Sequence, residues 1–185
     1  MIKELLYETE NRMRKAAKTL ESDLRTIRAG RASPALLEGV MVEYYGTPTP
    51  LNQLATVSAP EPQLIAIRPY DPESMEDIER AILASDLSLT PSNDGRIIRL
   101  PIPRPTEKRR QELAKTVSKR VEEGKVALRN IRREILSDLR EFKKESLISE
   151  DAFYRGKDDL QDVIDRYTKQ MEESGSRKQQ EILGN

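Results

Sequence analysis

The segment Arg129-Asn130-Ile131-Arg132-Arg133, with Lys125 just before it and Arg109-Arg110 upstream, holds the side chains of this sequence best suited to a chemistry. A guanidinium is planar and always charged, and its N–H donors form a fork that matches phosphate. Rows of such forks on a rigid element contact a nucleic-acid backbone without reading its sequence. Arg110, Arg129 and Arg132 are the first candidates, and Lys125, Arg109 and Arg133 stand behind them. Arg28 and Arg31 would stand at the end of an N-terminal helix, where attraction of a cation to the helix C-terminus is a competing reason for Arg28. No stacking-aromatic motif accompanies these cations.

Other chemistries are poorly served. The 185 residues include no cysteine and no histidine, which removes disulfides, thiol nucleophiles, the usual zinc ligands and imidazole acid–base catalysis. Asp71, Glu73, Glu76 and Asp77 read as capping and dipole complements at a short helix start. Gly46-Thr47-Pro48 lacks the glycine spacing and Lys-Ser/Thr pair of a phosphate loop. Tyr44 and Tyr45 read as one core and one surface residue of a strand. No catalytic residue, metal, cofactor or small-molecule substrate is therefore expected, and the protein should not be an enzyme. No segment approaches the ~20 apolar residues of a membrane span, so a cytoplasmic monomer with no membrane partner is the expectation.

The elements that must position the arginines are long helices. From Thr106 to Lys144 there is no proline, and Val117, Val121, Leu128, Ile131, Ile135, Leu139 and Phe142 form one apolar stripe with Gly124 in its gap. Such a helix would run about 60 Å, and something must lie alongside it. Residues 2–29 predict a second helix through Leu6, Met13, Ala17, Leu20, Leu24 and Ile27, with Gly30 as its left-handed terminator. Residues 150–174 predict a third, capped by Ser149, carrying Phe153, Leu160, Ile164, Tyr167 and Met171 and stopped at Gly175; Ser176–Asn185 should fray. Three matching stripes predict an elongated three-helix bundle. On the central helix Lys125, Arg129, Arg132, Arg140 and Lys143 gather on one flank of the stripe and Glu134, Asp138 and Glu141 on the other.

Between the first two helices the chain changes character. From Arg31 to Arg104 there are 6 Lys/Arg against 10 Asp/Glu, a net of −4, whereas Thr106–Lys144 has 13 against 7, a net of +6. Strands are expected at Val40–Tyr45, Gln63–Arg68 and Arg96–Leu100, with weaker ones at Thr56–Ala59 and Leu87–Thr90 and a turn at 46–50. Asp71-Pro72 opens a short helix with Met75, Ile78 and Ile82 inward. The fold class is thus a mostly α, two-domain, L-shaped molecule: a bundle of residues 1–30 and 105–185, and an inserted α+β (β/α/β) domain of residues 31–104. A hinge is expected at 30–34 and 101–105, through Gly30, Arg31, Pro34, Pro101, Pro103, Arg104 and Pro105.

Three motifs carry a resemblance. Ile27-Arg28-Ala29-Gly30-Arg31-Ala32-Ser33-Pro34, Val42-Glu43-Tyr44-Tyr45-Gly46-Thr47-Pro48-Thr49-Pro50-Leu51 and Arg129-Asn130-Ile131-Arg132-Arg133 closely resemble the bacterial ribosome recycling factor family, nearly end to end. Glu134 and Ile164 depart from its usual aspartate and threonine. The resemblance implies binding to the post-termination ribosome through large-subunit rRNA at the vacated tRNA sites, by arginines matching Arg28, Arg31, Arg110, Arg129 and Arg132. It further implies subunit dissociation and release from mRNA, driven with elongation factor G and GTP. The alternative on pattern alone is a coiled-coil adaptor, or a general RNA-binding protein without recycling activity.

Overall fold

The computed structural model describes residues 1–184 and divides the chain into two compact units, Met1–Ala29 with the chain from Glu107 onward, and Gly30–Thr106. The first unit is three helices, α1 (Ile2–Thr26), α4 (Glu107–Lys144) and α5 (Glu150–Leu183), and each packs on both others. The apolar stripes meet in one core: Met13, Ala17, Leu20 and Leu24 of α1, Val117, Leu128, Ile131, Ile135 and Leu139 of α4, and Phe153, Leu160, Ile164, Tyr167 and Met171 of α5 are all buried. Ser149 caps α5 as expected, its Oγ accepting from the Ala152 N–H at 3.0 Å.

Two helix ends fall elsewhere than the sequence suggests. α1 stops at Thr26, where Ile27 turns extended (ψ 111°) and donates back to the Leu24 carbonyl. Gly30, three residues further, is therefore not its terminator. α5 does not stop at Gly175 but at Gly184, which is left-handed (φ 79°) and donates to the Gln180 carbonyl. Gly175 is instead an interior contact: a Cβ there would lie 2.5 Å from Val121 Cγ2, so only glycine lets α4 and α5 approach this closely. The segment expected to fray is held by Ile182, 2 % exposed, and by Gln179, whose Nε2 donates to the Ala114 carbonyl and Ser118 Oγ. Asn185 lies outside the described residues.

The second unit holds a hairpin, β1 (Met41–Tyr44) with β2 (Thr47–Pro50), a single turn α2 (Leu51–Leu54), and an antiparallel sheet in the order β3-β4-β6-β5. The sheet strands are β3 (Ala55–Glu61), β4 (Leu64–Pro69), β5 (Ser92–Asn93) and β6 (Ile98–Pro101). α3 (Met75–Ala84), entered through the Asp71-capped turn 72–74, buries Met75, Ile78 and Ile82 against Ile65, Ile67, Ile98 and Leu100. Residues 47–50, expected as a turn, are strand: the turn is Tyr45-Gly46, both left-handed (φ 50° and 76°), and the prolines survive because β2 is an edge that need not donate. Leu87–Thr90 is not a strand, since Ser88 is left-handed (φ 55°). β6 begins at Ile98 rather than Arg96 because the Asp94 carboxylate takes the backbone N–H groups of Arg96 and Ile97, each at 2.9 Å.

Those N–H groups, with Arg99 at 2.8 Å, hold the Asp94 carboxyl well below the usual carboxylate range. A lowered folded pKa stabilises above the unfolded value of about 3.9 and is lost as the pH falls further. Asp94→Ala should therefore lower the melting temperature of the sheet unit at pH 7, and the difference from the parent should shrink as a titration moves from about pH 4 into strong acid. A difference that stays constant across that range would mean the turn gains nothing from the charge.

Candidate nucleic-acid interface

α4 is unbroken, so its side chains can be placed by winding at about 100° per residue. With Leu128 at the centre of the buried stripe, Arg132, Lys125, Arg129, Arg140 and Arg133 follow one another over roughly 40–140° on one side. Arg110, five full turns before Leu128, winds back onto the line of the stripe itself, is only 27 % exposed and pairs with Glu107 at 3.7 Å. Arg109 winds to the opposite, acidic flank beside Glu134 and Asp138, and pairs with Glu112 at 3.2 Å. The helix thus brings Lys125, Arg129, Arg132 and Arg133 together and leaves Arg109 apart. Arg110 lies about 28 Å along the axis from Arg129.

The two flanks are also the two sides on which α4 meets its neighbours. On the acidic side Glu134 receives a bidentate fork from Arg12 of α1, at 2.8 and 3.2 Å, which holds its carboxyl below the ordinary range. On the basic side Lys125 pairs with Glu172 of α5 at 2.6 Å, and Lys143 with Glu150 at 3.6 Å. Arg132 donates from Nε to Gln161 Oε1 at 2.9 Å, and Gln161 donates on to Asp165 at 2.8 Å. Part of the charge separation is therefore a pairing code that sets helix next to helix, as at the flanking positions of a coiled coil. Neither Gln161 nor Glu172 stands out in the sequence, because their roles depend on interhelical register.

What remains available differs from residue to residue. Lys125 is 24 % exposed and occupied. Arg132 is tethered through Nε alone, which fixes the plane of its fork and leaves both terminal nitrogens unengaged by any described residue. Arg129 is exposed and reaches two turns back to Glu122 at 2.7 Å, a solvent-facing pair that a phosphate can displace at little cost. Among the described residues Arg133 and Arg140 have no acidic partner, nor do Arg28 at the end of the bundle unit's first segment and Arg31 at the start of the sheet unit. Such an arrangement can clamp a polyanion along a rod. Tyr44, half-buried at the end of β1, donates to Asp71 Oδ2 at 3.2 Å, whereas Tyr45 is 79 % exposed and belongs to the left-handed turn after the strand rather than to the strand.

Three kinds of likeness to known proteins follow. A family profile described as Ribosome recycling factor matches residues 20–183. The ribosome-recycling factor of Natranaerobius thermophilus is 50 % identical over 178 residues, 96 % of this chain and 97 % of that one. That of Roseiflexus castenholzii is 51 % identical over 183 residues, 99 % of each. Among solved structures, a solution structure of the ribosome recycling factor matches with a TM-score of 0.76 at 35 % identity, over 100 % of this chain and 98 % of the other. A second, described as models for the T. thermophilus ribosome recycling factor and the E. coli elongation factor G bound to the E. coli post-termination complex, matches with a TM-score of 0.65 at 44 % identity over the whole of both chains.

Proposed function

The chain belongs to the ribosome recycling factor family, and from that premise we propose that its arginine-bearing rod is the surface that meets ribosomal RNA. The protein binds the ribosome left after termination and, with elongation factor G and GTP, dissociates its subunits and frees the messenger. It is a non-enzymatic translation factor: the GTPase supplies the work. The observation that carries this reading is likeness at about 50 % identity along nearly the whole chain to relatives named for the activity. No described helix is long and apolar enough to cross a membrane, which suits a factor working on ribosomes in the cytoplasm, as a monomer.

Within the rod, Arg129, Arg132 and Arg133 form the centre of the contact, with Lys125 and Arg110 at its margins and Arg28 and Arg31 beyond the end of α1. Arg109 faces the other way and takes no part. A stiff helix suits this task because it carries several forks to phosphates at fixed spacing and transmits force along its length without bending. The sheet unit, tied to the bundle by two chain crossings, supplies a second body that can turn relative to the first. An adaptor without recycling activity would have no use for that second body.

Light scattering by post-termination ribosomes tests the function. Adding the protein with elongation factor G and GTP should produce the drop that accompanies subunit separation, and omitting any one of the three should abolish it. A drop of the same size without the protein would remove the function.

A further inference from the structure

The two crossings between the units converge on one turn of the sheet unit. Pro62 and Gln63 link β3 to β4. In the first crossing the Ala32 N–H donates to the Pro62 carbonyl at 2.7 Å, and the Gly30 carbonyl accepts from Gln63 Nε2 at 3.1 Å. In the second, the Ile102 N–H donates to the Gln63 carbonyl at 2.8 Å, directly after the Leu64–Pro101 rung of β4 and β6. Gly30 and Pro105 then close the knot: Gly30 is left-handed (φ 77°), and a Cβ on it would lie 2.3 Å from Pro105 Cδ.

Each crossing is also anchored by burial. Ile102 is 8 % exposed and belongs to the core of the sheet unit, as does Leu37 just after the Ser33-capped turn 34–37. Ala29, by contrast, is buried with the bundle core. The ordering changes hands within one peptide on the first crossing and next to Thr106 on the second. Gln63 grips the first crossing through its own polar group. Its Oε1 is buried without a donor among the described residues, so the amide is oriented by what Nε2 does.

We propose that Gln63 is a positioning residue for the swing of the two units: by holding both crossings at the Pro62–Gln63 turn it makes residues 30–33 and 101–105 part of the sheet unit, and it confines the pivot to the backbone at Ala29–Gly30 and around Thr106. The proposal rests on the reading of the protein as a two-body factor worked by elongation factor G. Its consequence is mechanical. A push on the sheet unit reaches the bundle through two short backbone links rather than being absorbed in the slack of residues 30–33 and 101–105.

The absence of native cysteine makes the test direct, because introduced thiols can be spin-labelled uniquely. With labels at Arg104→Cys and Glu76→Cys, both exposed and both in the sheet unit, the parent should give a narrow distance distribution. Gln63→Met, similar in size and without a donor, should broaden it and speed hydrogen exchange at Ala32, in the crossing the side chain grips, about fivefold, the factor one lost hydrogen bond is worth, while Ile102 keeps its bond to the main-chain carbonyl of residue 63. Gln63→Lys, which restores a donor, should return the width toward the parent's and serves if the methionine variant does not fold. In the splitting assay Gln63→Met should lower the rate at saturating factor while affinity for the ribosome stays within about twofold.

A broad distribution in the parent, or an unchanged one in Gln63→Met, would overturn the proposal. Neither result touches the family function, which fails only if the parent itself does not split subunits.

Discussion

Alanine at both Arg129 and Arg132 should weaken binding to the large ribosomal subunit by about a hundredfold or more and leave the bundle folded. A hydrogen bond to a charged group contributes about 1.5–3 kcal/mol, so each lost phosphate contact is worth roughly one to two powers of ten. Counterion release adds a second signature: log affinity against log salt should flatten by about one unit per arginine removed. Stability should change little. Alanine is the best helix former, the Arg129–Glu122 pair is exposed at both ends, and exposed pairs contribute little. Arg132 gives up one bond to Gln161, which stays able to donate to Asp165. Arg12→Ala is the internal control, since Arg12 is equally cationic but sits on the flank that α1 shares with Glu134. It should barely change affinity. Equal binding by the parent and the double variant, measured on isolated large subunits, would take these residues out of the interface.

That contrast between flanks shows where the sequence was legible. The apolar stripes of all three helices were readable because burial imposes a period of 3.6 on each of them independently. The fork residues could be found for the same reason, but Arg109, expected to stand behind them, falls on the acidic flank once α4 is seen to run unbroken from Glu107. What could not be read was the partner of each flank. Glu122 looks like an exception among cations, yet it is the counter-ion of Arg129, and Lys125 finds Glu172 only because α5 lies on that side. Glycine misled for a related reason. Gly175 carries the propensity of a helix stop, but contact with Val121 outweighs a propensity term of about 1 kcal/mol. In the sheet unit, two prolines in residues 47–50 suggested a turn, and only the knowledge that β2 is an edge allows them in a strand.

Gly30→Val should be the most damaging single change outside the hydrophobic cores. Two costs coincide at this position. A left-handed backbone costs an L residue roughly 1–2 kcal/mol, and a β-branched side chain tolerates it worst. The new Cβ would also stand 2.3 Å from Cδ and 2.7 Å from Cγ of Pro105, atoms of a closed ring that cannot rotate away; forced overpacking of this kind costs about 1–3 kcal/mol. Together about 2–5 kcal/mol must be met by moving one crossing off the other, which strips the Gly30 carbonyl from Gln63. Denaturant titration followed by the backbone amide signals of each unit should show the sheet unit losing stability while the bundle, whose core lies in α1, α4 and α5, holds its own. Because the arginines of α4 are untouched, ribosome affinity should fall far less than the splitting rate. A melt and a splitting rate both equal to the parent's would mean that the Gly30–Pro105 contact positions nothing, and the path by which a push on the sheet unit reaches the bundle would have to run elsewhere.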